Sequence, residues 1–150
     1  MERYRLAMKT LNMKKSIFII ILLTSLNLFS QNKDKQENKI DSLLTKCLEI
    51  NTTTADMRNC IMQAEKSWDK ELNKYYQLLL KKLPTSGKEK LKKAQIAWIK
   101  YRDDELLFES NYYFEVKQGT MFHVMANNSR MEFIKNRALE LEKYYDMLDY

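Results

Sequence analysis

The stretch MRNCIMQAEKSWDKELNKYYQLLLKKLPTSG, residues 57–87, decides the fold. Met57, Ile61, Ala64, Trp68, Leu72, Tyr75, Leu79 and Leu83 follow one another by three or four positions, the spacing that lines up side chains on one face of an α-helix. That stripe stops at Pro84. The run Leu83-Pro84-Thr85-Ser86-Gly87 is a strong turn signal, and so short a connection makes the helices on either side antiparallel neighbours. Upstream, Leu43, Leu44, Cys47 and Leu48 keep the helical period within residues 40–50. Asn51-Thr52-Thr53-Thr54 interrupts it, with Thr54 as N-cap and Asp56 in the first turn of the long helix. Downstream, Leu91, Ala94, Trp98, Tyr101, Phe108 and Tyr112 predict a third helix over residues 88–116. After Gly119-Thr120, the series Met121, Val124, Asn128, Met131, Ile134, Ala138, Leu141, Tyr145 and Leu148 predicts a last one.

The chain has 150 residues, only two Gly and one Pro, which favours long helices over a sheet with many turns. The expectation is an all-α protein: an up-and-down bundle of three long helices plus one short N-terminal helix, in a single domain over residues 40–150.

Residues 1–30 read differently. Met13-Lys14-Lys15, the apolar run from Ser16 to Phe29 and the polar exit Gln31-Asn32-Lys33-Asp34 have the order of a secretory signal peptide. The apolar run is shorter than the roughly 20 residues a membrane-spanning helix needs, so no membrane span is expected after cleavage. Residues 1–12 read as an upstream mis-start, and residues 31–39 as a flexible lead-in. The expected location is periplasmic or secreted. Both cysteines fall in the part expected to be exported, where an even thiol count reads as a disulfide, Cys47 to Cys60.

Charge follows the same division. Of the net +6, the first 30 residues carry +4, which leaves 21 basic against 19 acidic residues in the remainder. Without a basic stripe, nucleic-acid binding loses its main support. Near-neutrality also gives no electrostatic reason to expect strong attraction to a basic partner.

A polar constellation interrupts the apolar pattern. Gln95, Trp98 and Arg102 share a helix face, with Asp103 beside them, and Asp69, Asn73 and Tyr76 repeat that spacing on the preceding helix. Asp69 and Arg102 are potential partners across the two helices. The group reads either as an internal network that fixes helix register or as a recognition site in which Arg102 presents its fork to a polar partner. Trp68 and Trp98 lie on apolar stripes and are expected in the core. Tyr112-Tyr113-Phe114 are consecutive and cannot all face inward, so Tyr113 joins Gly119 and His123 as a candidate partner contact. His123 is the lone histidine, without neighbours at ligand spacing, and no metal, cofactor or catalytic site is expected.

Cys47, Cys60, Asp69, Leu72-Asn73, Tyr76, Gln95-Ile96-Ala97-Trp98, Arg102-Asp103, Gly119 and Arg137 to Leu141, taken as an ordered set over residues 47–141, resemble the lysozyme inhibitor LprI family. The resemblance implies an exported envelope protein that acts by binding and not as an enzyme, with lysozyme or another envelope protein as partner. An inhibitor of that kind covers the sugar-binding cleft with projecting tips, for which residues 119–128 and the Pro84 to Gly87 turn are candidates. The alternative is an envelope interaction module without inhibitory activity. Relatives often carry a second cysteine pair where Leu106 and Ser129 stand here, so the two positions are expected close in space, held by packing between the third and fourth helices.

Overall fold

A computed structural model describes residues 38–149. The expected signal peptide and the lead-in up to residue 37 lie outside the described residues. Four helices are seen there: α1 (Lys39–Ile50), α2 (Thr54–Lys82), α3 (Thr85–Asn111) and α4 (Thr120–Asp146). A π-helical turn, Tyr112–Lys117, extends α3, and a short 3-10 turn, Met147–Asp149, follows α4. Among the described residues there is no strand, and no helix is long and apolar enough to cross a membrane. The all-α class is as expected.

Side-chain caps set both ends of α1 and the start of α2. The Asn38 side chain accepts from the Ile40 N–H at 2.8 Å and starts α1. The Asn51 amide donates to the Cys47 carbonyl at 2.8 Å and closes it. Thr53, one residue before the expected cap, starts α2 by accepting from the Asp56 N–H at 3.2 Å, and its hydroxyl donates back to the Asp56 carboxylate at 2.6 Å. Leu83 and Pro84 make the whole turn into α3, so Thr85, Ser86 and Gly87 are already helical.

The core is a seam between α2 and α4. Ile61, Ala64, Trp68, Leu72 and Leu79 on α2 meet Val124, Met131, Ile134, Ala138 and Leu141 on α4, all buried. Trp68, Met131 and Leu141 are enclosed completely. Each such side chain stabilises the fold by about 1.5–3 kcal/mol through removal from water. Cross-seam contacts fix the direction: Arg130 Nε donates to Glu65 at 2.9 Å, Lys135 lies 5.7 Å over the Trp68 ring, and Tyr75 donates to Glu142 at 2.6 Å. Position numbers rise together on both helices, so α2 and α4 run parallel. Burial, then the hydrogen bond and charge of Glu142, push the Tyr75 phenol above its ordinary value, so it stays a donor across the seam.

α3 differs from expectation. It descends antiparallel to α4, with Gln95 near Arg137, Tyr101 near Phe133 and Glu109 near Ser129. It meets α2 only thinly, although the turn at Pro84 joins them, and Gln95 is its sole buried residue. α1 lies across the other side, clipped by the Cys47–Cys60 disulfide and by a 2.9 Å ion pair between Asp41 and Lys135.

Because that disulfide closes a loop of 13 positions, reduction is expected to cost about 3 kcal/mol on the chain-entropy account. Urea denaturation with and without reductant measures it, and coincident midpoints would refute the contribution.

Candidate recognition surface

Two groups of side chains stand out from the packing. The first lies between α3 and α4. Arg137 is almost fully buried, and its Nε donates to the Gln95 side-chain oxygen at 3.0 Å. Its Nη1 donates to Glu140, whose other oxygen accepts from the Tyr144 hydroxyl at 2.9 Å. Trp98 sits half-buried among these groups, with the Arg137 guanidinium 5.8 Å and the Arg102 guanidinium 5.2 Å from its ring centre. Beside them a cleft of about 420 Å³ opens, lined by Trp98, Phe133, Asn136, Arg137 and Glu140.

The expected network is therefore rearranged. Asp69 and Arg102 do not meet. Asp69 is exposed and holds only Asn73, whose amide donates to its carboxylate at 3.1 Å and to its backbone carbonyl at 2.8 Å. Tyr76 is half-buried against the core, and Arg102 donates to the adjacent Asp103 at 2.7 and 2.9 Å. Gln95 does find a guanidinium, but that of Arg137 on α4. The physical reason is the topology: the polar face of α3 looks at α4, whereas the α2 positions carrying Asp69 and Asn73 look at solvent. Trp98, expected in the core, packs at its edge. Arg137 is legible in the sequence only through its place in the family pattern, since a lone arginine on a helix carries no signal until its neighbour is known.

The second group is the corner where α3 passes into α4. The wider winding of the π-helical turn aims its aromatics at α4. Tyr113 stacks on Phe122 with ring centres 6.3 Å apart, and Phe114 stacks on His123 at 4.5 Å. Gln118 and Gly119, with φ of 55° and 117°, then reverse the chain. A side chain at the second of these would be strained, which is why glycine stands there. Phe114, Val116, Met121 and Met125 are left exposed around this reversal. His123 and Tyr113 are half-buried and support the corner, while Gly119 forms its edge. Beneath Tyr113 an apolar groove of about 520 Å³ runs between Leu48, Met57, Ile61, Val124 and Met125.

The position of the absent second cysteine pair lies just inside this corner. Ser129 donates to Glu109, one turn beyond Leu106 on the same face of α3. A hydrogen bond between α3 and α4 thus occupies the region where relatives often place a bridge.

A disulfide-clipped helical bundle with this order of landmarks defines a small all-α domain. The chain belongs to the lysozyme inhibitor LprI family, whose pattern matches residues 47–141. It is 31% identical over 101 residues to an uncharacterised protein of Rhizobium meliloti (strain 1021), covering 59% of this chain and 70% of that one. It is also similar to the crystal structure of an uncharacterised protein from Burkholderia thailandensis, with TM-score 0.68 and 27% identity over 75% of this chain. The chain spans 56% of the length of that protein.

The geometry separates the two arginines. Arg137→Ala strands the buried Gln95 oxygen and is expected to destabilise by about 1–3 kcal/mol. Arg102→Ala loses only an exposed pair and one ring contact, and is expected to cost about 1 kcal/mol or less. Chemical denaturation of both variants decides this, and a larger loss for Arg102 would contradict the observed pairing. A pH effect also follows. Burial alone would raise the Glu140 carboxyl, but the hydrogen bonds from Arg137 and Tyr144 and the nearby charges of Arg137 and Lys143 outweigh it and hold the carboxyl below its ordinary 4.5. A group depressed in the folded state stabilises above its unfolded value and loses that contribution as pH falls through the folded one. Glu140→Gln should therefore flatten the fall in melting temperature below pH 4.5 and leave the profile above it parallel to the parent.

Proposed function

We propose that this chain is an exported envelope protein that inhibits a lysozyme by binding across its sugar-binding cleft. Family membership over residues 47–141 supports the lysozyme partner. The disulfide suits an oxidising compartment outside the cytoplasm, in keeping with residues 1–30 acting as a signal peptide.

The single observation that carries the site is the aromatic corner. Blocking a cleft requires a convex element that keeps its shape, because a floppy tip loses ordering entropy on binding. Here the projection is braced from below by the Tyr113–Phe122 and Phe114–His123 stacks, and it presents Phe114, Val116 and Met121 around a tight reversal. The Pro84 to Gly87 turn is a poor second tip, since it lies at the far end of α3, roughly 40 Å away along a helix of 27 residues. His123 acts as a support in this reading and not as the contact itself. With a near-neutral domain, apolar contact and not long-range attraction supplies the affinity.

The test is a cell-wall turbidity assay with the disulfide-bonded protein and a lysozyme. Near-stoichiometric inhibition is expected, with little change between low and physiological salt. Val116→Asp combined with Met121→Ala should weaken inhibition at least about tenfold, whereas Ser86→Arg at the far end should leave it unchanged. A folded protein that does not inhibit would sink this reading and favour an envelope interaction module with another protein partner.

A further inference from the structure

α3 carries a charge pattern that works against its own backbone. Its first part, residues 85–102, holds six basic residues and one acidic one, and its remainder, residues 103–111, holds four acidic residues and no basic one. The first turn has no acidic residue, the last turn has no basic one, and no side chain caps the N-terminus. A helix is positive at its N-terminus and negative at its C-terminus, so each end of α3 concentrates the charge the dipole disfavours.

The same helix turns large apolar side chains, set between charged ones, away from the bundle. Gln95, Trp98 and Tyr101 face α4, and on the opposite side Ile96, Lys100, Asp103 and Leu107 share a face at spacings of four, three and four. Ile96 is 69% exposed and Leu107 72%. Ile99 and Phe108 flank this line and are exposed as well.

We propose that this face is the interface of a homodimer in which the α3 helices of two copies pack antiparallel about a two-fold axis. The occupant is argued from self-complementarity. When α3 is laid against a reversed copy of itself about a point between Tyr101 and Arg102, Ile96 meets the second copy's Leu107, and Lys100 meets the second copy's Asp103. Each contact occurs twice, as an isologous interface requires. The basic half of each helix lies along the acidic half of the other, and the two dipoles oppose. A parallel copy would set like charge against like along the whole length. Lys100 pairs with Asp104, and Asp103 accepts from Arg102, each on its own helix and at the surface, so forming the intermolecular pair exchanges these exposed contacts for it.

The experiment is sedimentation equilibrium on the disulfide-bonded protein purified from the cell that makes it, over a range of micromolar concentrations. A concentration-dependent monomer–dimer equilibrium is expected. Ile96→Asp with Leu107→Asp should give a monomer with unchanged helical circular dichroism, since both positions face solvent in the single chain. Lys100→Asp alone and Asp103→Lys alone should each weaken the dimer by about tenfold or more, because each sets like charges together twice. An equimolar mixture of those two variants should recover a heterodimer. A monomer at every concentration, a dimer undiminished in Ile96→Asp with Leu107→Asp, or single variants that weaken without recovering on mixing would overturn the proposal.

Discussion

The parallel contact of α2 with α4 constrains everything else in this domain. Two long helices that run the same way cannot be joined by a tight turn, because the chain must first travel back along the seam. α2 has 29 residues and α3 has 27, so α3 returns nearly the whole length at 1.5 Å per residue. Its length is set by that journey. Its composition is not set by the core, since the seam already buries the large side chains and asks of α3 only a covering layer. That is why α3, although it carries Leu91, Ile96, Ile99, Leu106, Leu107 and Phe108, buries only Gln95.

The seam is legible in the amino-acid sequence because it obeys a single period. From Met57 to Leu79 the apolar residues of α2 recur every three or four positions, and the α4 series Val124, Met131, Ile134, Ala138 and Leu141 does likewise. Pro84 and Gly119 mark the two reversals with the residues physics assigns to them. The polar constellation is harder to read. Spacing shows which residues share a face, but not which helix that face meets, and pairing Asp69 with Arg102 assumes that helices adjacent in sequence pack most closely. Topology gives the α3 face to α4, so the partner of Gln95 is Arg137, 42 positions away. The π-helical turn has no sequence signature: Tyr112-Tyr113-Phe114 indicates that some aromatics are exposed, but only the changed winding determines which of them reach Phe122 and His123.

Arg137 also shows how a buried charge is tolerated here. A guanidinium taken out of water needs acceptors on its fork, and it finds an amide on one helix and a carboxylate a turn along its own. Gln95 is neutral and Glu140 remains partly in water, so the arrangement avoids the full desolvation cost of a buried ion pair. Trp98 closes the site from the side and offers its ring to the same cation. The landmarks Gln95, Trp98 and Arg137 are therefore tied to one another physically, and replacing one changes what the others require. This polar joint sets the register of α3 on α4.

Register fixed near Arg137 propagates to the corner at the other end of the same two helices. Two further contacts hold it along the way: Tyr101 against Phe133, with ring centres 5.9 Å apart, and Ser129 with Glu109. With Leu106 and Ser129 in place of a cysteine pair, only the backbone of the turn itself joins α3 to α4 covalently at this end. The shape of that turn then depends on stacked rings and on a pair of positive-φ residues at its apex. The Tyr113–Phe122 and Phe114–His123 stacks thus do at this corner what a cross-link would otherwise do, and they hold only while α3 keeps its place against α4.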